Sequence, residues 1–356
     1  MKKLLITSIF ASALLFNSCS NDLETNIDTS NFDRSSNFDV NFQHASTLQV
    51  GGEGSAEISA YDPKTKKLFV VNVEANEVSV YDISDIHNPV SMPSIAIASG
   101  SPNSVAVSKG LLAVAVENAN KQMPGNVLVY DTTSQTMEGN YTVGALPDMV
   151  TFTPNGQLLI SANEGEPNDE YTVDPNGSIS IIELRSGMVS TLNFESFNAM
   201  ESELESDGFR VFGPNATLAQ DVEPEYVAVS QDNETAWVSL QENNGIAKVN
   251  LVSKTIEGIF PLGYKDYSLS ENSIDPSDED GVKELNTWPV YGMYQPDAIE
   301  YVKINGMDMI ISANEGDARD YDGYSEEERC DDLVLDPSQF PMAAMLQQEE
   351  NLGRIK

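Results

Sequence analysis

Five times along the chain, a proline or small residue followed by a polar one opens a short alternating strand. A turn such as PNGQ or QDNE follows, then a second, more apolar strand. Helical periodicity is nearly absent, and Gly, Pro, Asn and Asp punctuate the apolar runs. Together these features predict an all-β fold, a β-propeller of four-stranded blades with about five blade units present.

The first strands of the units read Ala56-Glu57-Ile58-Ser59-Ala60, Pro102-Asn103-Ser104-Val105-Ala106-Val107, Pro147-Asp148-Met149-Val150-Thr151-Phe152, Pro224-Glu225-Tyr226-Val227-Ala228-Val229 and Pro296-Asp297-Ala298-Ile299-Glu300-Tyr301. The second strands are LFVVNV, LLAVAV, LLISAN, AWVSLQ and MIISAN. A third strand follows a polar hairpin (VSVYD, VLVYD, SISIIEL, IAKVNL), and a variable fourth leads to the next unit. Unit starts at 57, 103, 148, 225 and 297 are 46, 45, 77 and 72 residues apart. The first two spacings suit one blade of about 40–45 residues. The longer two predict insertions near 191–221 and 264–294. A blade buries its faces only against its neighbours, so the fold calls for a ring. The fifth unit runs into an acidic, irregular stretch from Asp317 to Lys356. The closing QEENLGRIK is polar with nothing after it to pack on, so the expectation is that further blades follow in a longer protein.

The N-terminus sets localisation. Lys2 and Lys3 precede an apolar run from Leu4 to Phe16, shorter than the roughly 20 residues of a spanning helix. Phe16-Asn17-Ser18-Cys19 resembles a lipobox. The expected organisation is therefore a lipoprotein signal peptide at 1–18, a flexible polar tether at 19–48 and the propeller at 49–356. Lipidation falls on Cys19, which makes the lipid the only membrane contact. The Ser-Asn-Asp after Cys19 resembles the surface-export signals of Bacteroidetes lipoproteins. Together these features place the protein in the bacterial cell envelope, at the outer membrane or cell surface.

With 19 Lys and Arg against 56 Asp and Glu, the formal charge is −37, and loss of Lys2 and Lys3 with the signal takes it to −39. That sign excludes nucleic acid and anionic lipid surfaces as direct partners and favours cations as ligands. Cys19 and Cys330 are the only cysteines, so a lipidated Cys19 leaves no internal disulfide.

Propeller geometry brings two positions of each unit to one mouth of the central channel. The starts of the first strands carry Glu57, Asn103, Asp148, Glu225 and Asp297. The hairpins between second and third strands carry Glu74, Glu117, Glu164, Glu242 and Glu315, offset by 17, 14, 16, 17 and 18 residues. Asp317 lies two residues beyond the last, and Asn72, Asn163 and Asn314 offer further oxygens. Crowded carboxylates raise one another's pKa or take up a cation. Oxygen ligands without His or Cys select Ca²⁺ or Mg²⁺, with calcium the expected ion. The same pattern also fits residues that each tie their own hairpin by accepting backbone N–H groups. The acidic loops 164–174 (EGEPNDEYTVD) and 315–322 (EGDARDYD) and the run 275–281 all miss EF-hand spacing. His44 and His87 lie outside these loops, and no nucleophile motif or P-loop occurs. Trp237 reads as core and Cys330 as incidental.

The segments 159–184 (LISANEGEPNDEYTVDPNGSISIIEL), 212–230 (FGPNATLAQDVEPEYVAVS), 236–251 (AWVSLQENNGIAKVNL), 288–301 (WPVYGMYQPDAIEY) and 311–329 (ISANEGDARDYDGYSEEER) resemble the choice-of-anchor I family of secreted and surface β-propellers with YVTN-like repeats. The resemblance implies a surface location, seven blades in a complete member and a chain that continues past NLGRIK. It implies no established activity. Two functions follow as expectations: a non-catalytic, surface-anchored binding or interaction module with divalent cations at its acidic mouth, or a Ca²⁺-dependent phosphoester hydrolase of the phytase-like propeller type. The second needs basic groups to grip phosphate, and only Lys121 and Arg319 lie near the hairpins.

Overall fold

A computed structural model of the chain describes residues 43–52 and 55–356. The signal peptide, Cys19 and most of the expected tether lie outside the described residues. Four antiparallel four-stranded sheets follow one another, each with its strands in sequence order. Blade 1 holds β1 (Ser59–Asp62), β2 (Lys67–Asn72), β3 (Glu77–Asp82) and β4 (Val90–Ala96). Blade 2 holds β5 (Gly100–Ser108), β6 (Leu111–Asn118), β7 (Pro124–Asp131) and β8 (Met137–Ala145). Blade 3 holds β9 (Pro147–Phe152), β10 (Leu158–Asn163), β11 (Ser178–Glu183) and β12 (Met188–Asn193), and blade 4 holds β13 (Pro224–Val229), β14 (Thr235–Leu240), β15 (Gly245–Asn250) and β16 (Thr255–Pro261). The fifth unit contributes a two-stranded sheet, here β19 (Pro296–Ile304) with β20 (Met307–Asn314). The chain is thus all-β, a propeller of four-stranded blades.

Strand alternation explains the stacking. In β6, Leu112, Val114 and Val116 pack with Phe69, Val71 and Val80 of blade 1, while Ala113 and Ala115 between them pack with Val150, Phe152 and Leu159 of blade 3. In β10, Leu159 faces back while Ile160 and Ala162 face Val227, Val238 and Leu240 of blade 4. Trp237, on the opposite face of β14, stacks on Tyr301 of the fifth unit at 5.3 Å between ring centres and 11° between planes. The second strands of blades 2 to 4 are apolar on both faces because each of these blades lies between two others. Among the described residues nothing covers the outer face of β19–β20 in this way, and Ile304, Met307 and Ile311 are exposed on it.

Both long connections are built. Between β12 and β13 lie a 3-10 helix at Glu195–Met200, α1 (Glu201–Ser206) and α2 (Leu218–Asp221), whose Phe197, Leu204 and Leu218 join the blade 3–4 core. Between β16 and β19 run β17 (Lys265–Asp266), paired with β18 (Tyr291–Gly292), and a bridge from Ile274 to Asn286. Beyond β20 come the small hairpin β21 (Asp320–Tyr321) and β22 (Tyr324–Ser325), then α3 (Ala343–Leu346). The closing segment folds back onto the chain. Leu346 and Leu352 are buried, the Arg354 Nε is 3.1 Å from Asp278 Oδ1, and Cys330 N–H donates to Ile355 O. At the other end, Ser46 Oγ donates to Ile86 O, so the chain already lies on blade 1 there.

The β14–β15 turn (Gln241-Glu242-Asn243-Asn244) fastens both insertions to blade 4. Asn244 Nδ2 donates to Gly208 O and Gly263 O, and its Oδ1 accepts from Tyr294 N and Gln295 N. Asn243 Nδ2 donates to Arg210 O and to Asp221, and its Oδ1 accepts from Glu223 N. Both are fully buried, and Asn244 takes a left-handed φ of 55°, which asparagine tolerates. The next residue must be glycine, since a Cβ on Gly245 would stand 2.8 Å from the Phe209 ring. Asn244→Ala strips four backbone groups of their partner and should destabilise the chain by about 2–4 kcal/mol, since each buried group left unpaired costs about 1–3 kcal/mol. Denaturant unfolding, with exposed Asn88→Ala as the near-neutral control, checks this.

Candidate functional site

A proline opens the first strand at the channel in blades 3, 4 and 5, and the ladder breaks register directly after it. In blade 3, Pro147 pairs with Asn163 and Met149 with Ala162, which leaves Asp148 as the extra residue. Asn103 is extra in the same way between Pro102 and Ser104 of blade 2. In blades 4 and 5 the shift spans Pro224 to Val227 and Pro296 to Ile299, and so includes Glu225 and Asp297. Each is a β-bulge, which takes one residue out of the ladder and re-aims its side chain. The proline contributes by having no N–H to leave unpaired there.

The bulged residues meet. Glu57, Asp148, Glu164, Glu225, Asp297, Glu315 and Asp317, with Gln241 and Gly316, line one chamber of about 400 Å³. An adjoining cavity of about 270 Å³ is bordered by Glu57, Asn103, Asp148 and Asp297 together with Ser104, Met149 and Tyr226. Residues at the starts of all five units therefore border these two cavities, and the hairpin carboxylates of blades 3 and 5 join them. Glu117 lies at the margin: it accepts from Asn103 Nδ2 at 3.4 Å, stands 3.8 Å from Lys121 Nζ and acts on Asp148. Glu242, 7% exposed, sits behind Glu225 and Asp317 and interacts with both.

Other expected ligands are turned elsewhere. Glu74 is exposed and accepts from Gly52 N at 2.8 Å and Ser55 Oγ at 2.9 Å, so it ties the entry to blade 1. Asn163 is fully buried and gives its Nδ2 to Ser178 and Ser180, while Asn72 gives its own to Val50 O and accepts from Ala75 N. Asn314 Oδ1 accepts from Ser312 Oγ. These asparagines lace hairpins, because the strand ends leave backbone groups that need a partner.

Glu223 and Glu166 are part of the same charge system although they lie off the two repeat positions. Glu223, 2% exposed, has its Oε1 2.9 Å from Arg319 Nη2 but out of line for a hydrogen bond. Arg319, 2% exposed, also reaches Asp221 Oδ1 at 3.0 Å, the Asp221 carbonyl at 2.5 Å and Tyr171 Oη at 2.7 Å, with its guanidinium over the Phe212 ring. Both glutamates stand directly before a proline (Glu166-Pro167, Glu223-Pro224), which is the signal that could have found them.

Electrostatics follow from this crowding. Burial, and then Glu57, Glu166, Asp297 and Glu117, raise the pKa of Asp148 far above the usual carboxylate range. Burial followed by Glu242 and Asp148 does the same to Glu225, and burial with Asp148, Glu166 and Glu225 to Glu164. Glu223 and Glu242 are also raised, chiefly by burial. Among the described residues no three of these groups stand close enough, as placed, to hold a metal ion together.

Fold and site define a β-propeller with an acidic axial chamber. The chain belongs to the choice-of-anchor I domain family, whose model matches residues 57–356, and is accordingly a surface propeller module, cell-surface or secreted, of bacteria. No curated protein matches the sequence. Among solved structures it is similar to a chain of the nidogen/laminin complex, at 12% identity and a TM-score of 0.38, over 58% of this chain and 64% of that one. It is also similar to Kuenenia stuttgartiensis hydrazine synthase, at 13% identity and a TM-score of 0.36, over 72% of this chain and 83% of that one. The match thus spans less than two thirds of the nidogen/laminin chain.

The pKa directions fix a sign. A carboxyl raised in the folded state ionises first in the unfolded chain, so its stability contribution is complete below about pH 4.5, the unfolded value, and is lost as pH rises through the folded one. In chelator, the melting temperature should therefore fall between about pH 4.5 and 8. Glu164→Gln with Glu225→Gln should flatten that slope. A scan of melting temperature against pH at constant ionic strength checks both.

Proposed function

We propose that this chain is a lipid-anchored binding module of the bacterial envelope whose axial chamber takes up divalent cations, calcium first, in exchange for protons. The supporting observation is that two repeat positions, the first of them re-aimed by a bulge in blades 3 to 5, deliver six carboxylates from four blades to one chamber, where Asp317 makes a seventh. Such a group keeps protons or accepts a cation, because like charges in a shared, partly dry space cannot all stay ionised. Hard oxygen donors select Ca²⁺ or Mg²⁺. The phosphoester hydrolase reading has less support: Arg319 is already bonded to Asp221 and Tyr171, and Lys121 is drawn to Glu117, so neither is poised to grip phosphate over the chamber.

Two outcomes test this. Cys19→Ala should move the protein from the detergent phase to the soluble fraction, and equal membrane retention contradicts the anchor. Ca²⁺ at a hundredfold excess over its Kd should stabilise the fold by about 2.7 kcal/mol. The rise in melting temperature should exceed that in NaCl of equal ionic strength and shrink in Glu164→Gln with Glu315→Gln. Equal shifts in the two salts would reduce the chamber to screened surface charge.

A further inference from the structure

The segment after β20 runs from the fifth unit to the connection before β13 and the β10–β11 loop. Its near end, Glu315-Gly316-Asp317, is exposed and lines the chamber, with Gly316 at a left-handed φ of 83°. Its far end is fixed: Arg319 is buried against Asp221 and Glu223, Glu326 accepts from both Nη atoms of Arg210 at 2.9 and 3.1 Å, and Gly323 N–H donates to Asp169 O. Tyr321 and Tyr324 each set an edge against Tyr171. This strap therefore carries two carboxylates over the chamber on a firmly held base.

Glu242 stands in the β14–β15 turn of blade 4. It is more than nine-tenths buried, and its Oε2 has no hydrogen-bond partner among the described residues. Its charge acts on Glu225 and meets that of Asp317, both of which line the chamber. Arg319 also acts on Glu242, but its Nη atoms are engaged by Asp221, Glu223 and Tyr171. A buried carboxylate oxygen left bare is costly unless something positive arrives.

We propose that a divalent cation bound by Glu225, Glu242 and Asp317 clasps the 315–326 strap to blade 4. This rests on the reading of the chamber as a cation site and specifies where in it the ion sits. Glu225 and Glu242 are held by the bulge and the Asn243–Asn244 turn, so closure comes from the exposed Asp317. Its Oδ1 now accepts from Ala318 N at 2.7 Å, which leaves Oδ2 to turn inward. The ligand is an inorganic ion rather than an organic ammonium. Glu, Asp, Gln and Gly make up the whole lining, with no aromatic face or apolar surface for an alkyl group.

The test is hydrogen–deuterium exchange of the full chain in EDTA, in CaCl₂ and in NaCl of matched ionic strength, with calorimetric Ca²⁺ titration alongside. At saturating Ca²⁺ of about a hundred times Kd, exchange of amides 315–318 should slow at least tenfold relative to EDTA, within the hundredfold limit that linkage allows. Glu242→Gln and Asp317→Asn should each abolish that protection and weaken Ca²⁺ binding at least tenfold, whereas Glu138→Gln, exposed on β8 and outside the chamber lining, should leave protection intact. Glu242→Gln removes a buried charge and should melt no lower than the parent in EDTA, which keeps misfolding apart from loss of the site. Ca²⁺ binding without strap protection, or unchanged binding by Glu242→Gln, overturns the clasp and leaves the chamber reading standing. No Ca²⁺ binding by the parent chain overturns both.

Discussion

In a ring of blades, a carboxylate aimed at the axis is surrounded by carboxylates, because the same position of every repeat is aimed there too. This repulsion is the constraint that organises the site. Asp148, Glu164 and Glu225 cannot all be ionised together in the space they share, and burial strengthens the conflict by thinning the water between them. Interblade packing makes relief by movement expensive. Each acidic residue follows or faces strands whose valines, isoleucines and alanines are locked between two neighbouring blades. The charges are thus held in place by a core that does not depend on them.

Relief is uneven around the axis. On the blade 4 side, Arg319 enters from the strap and shares its charge between Asp221 and Glu223, while Asn243 holds Asp221 in place through Oδ2 at 2.8 Å. A buried ion cluster of this kind adds little net stability, since desolvation offsets much of the attraction, but breaking one member leaves an uncompensated charge. Among the described residues, Glu242, Glu225, Asp148 and Glu164 have no comparable partner. On the proposed reading protons or a cation serve them, and the two compete.

Blade order and the first-strand row of acidic residues were legible in the sequence, because strand alternation and the proline-acid pair recur at nearly constant offsets, whereas of the hairpin row only Glu164 and Glu315 line the chamber. What could not be read was which oxygen goes where. Asn163 ends a second strand and Glu242 stands in the turn just after one, yet one laces Ser178 and Ser180 while the other keeps a bare oxygen. Hydrogen bonds made within a hairpin and charges aimed across a channel demand the same residue types, so spacing alone cannot separate them. The bulges were hidden for a related reason: a one-residue break in register leaves no trace in an alternating pattern read strand by strand. The helices before β13 were equally silent, since α1 reads ESELES and buries only Leu204. Glu166, Glu223 and the strap's Arg319 lie off the repeat, where no periodicity points.

The exchange of protons for a cation is the core of this account, and it has a direct readout. Calorimetric Ca²⁺ titration of the full chain near pH 7, repeated in buffers of differing ionisation enthalpy, counts the protons released per ion bound. The account predicts a saturable event whose heat depends on the buffer, with on the order of one or more protons released per Ca²⁺, because raised carboxyls must give up their protons to bind. A binding heat identical in every buffer, or no saturable binding, would contradict it.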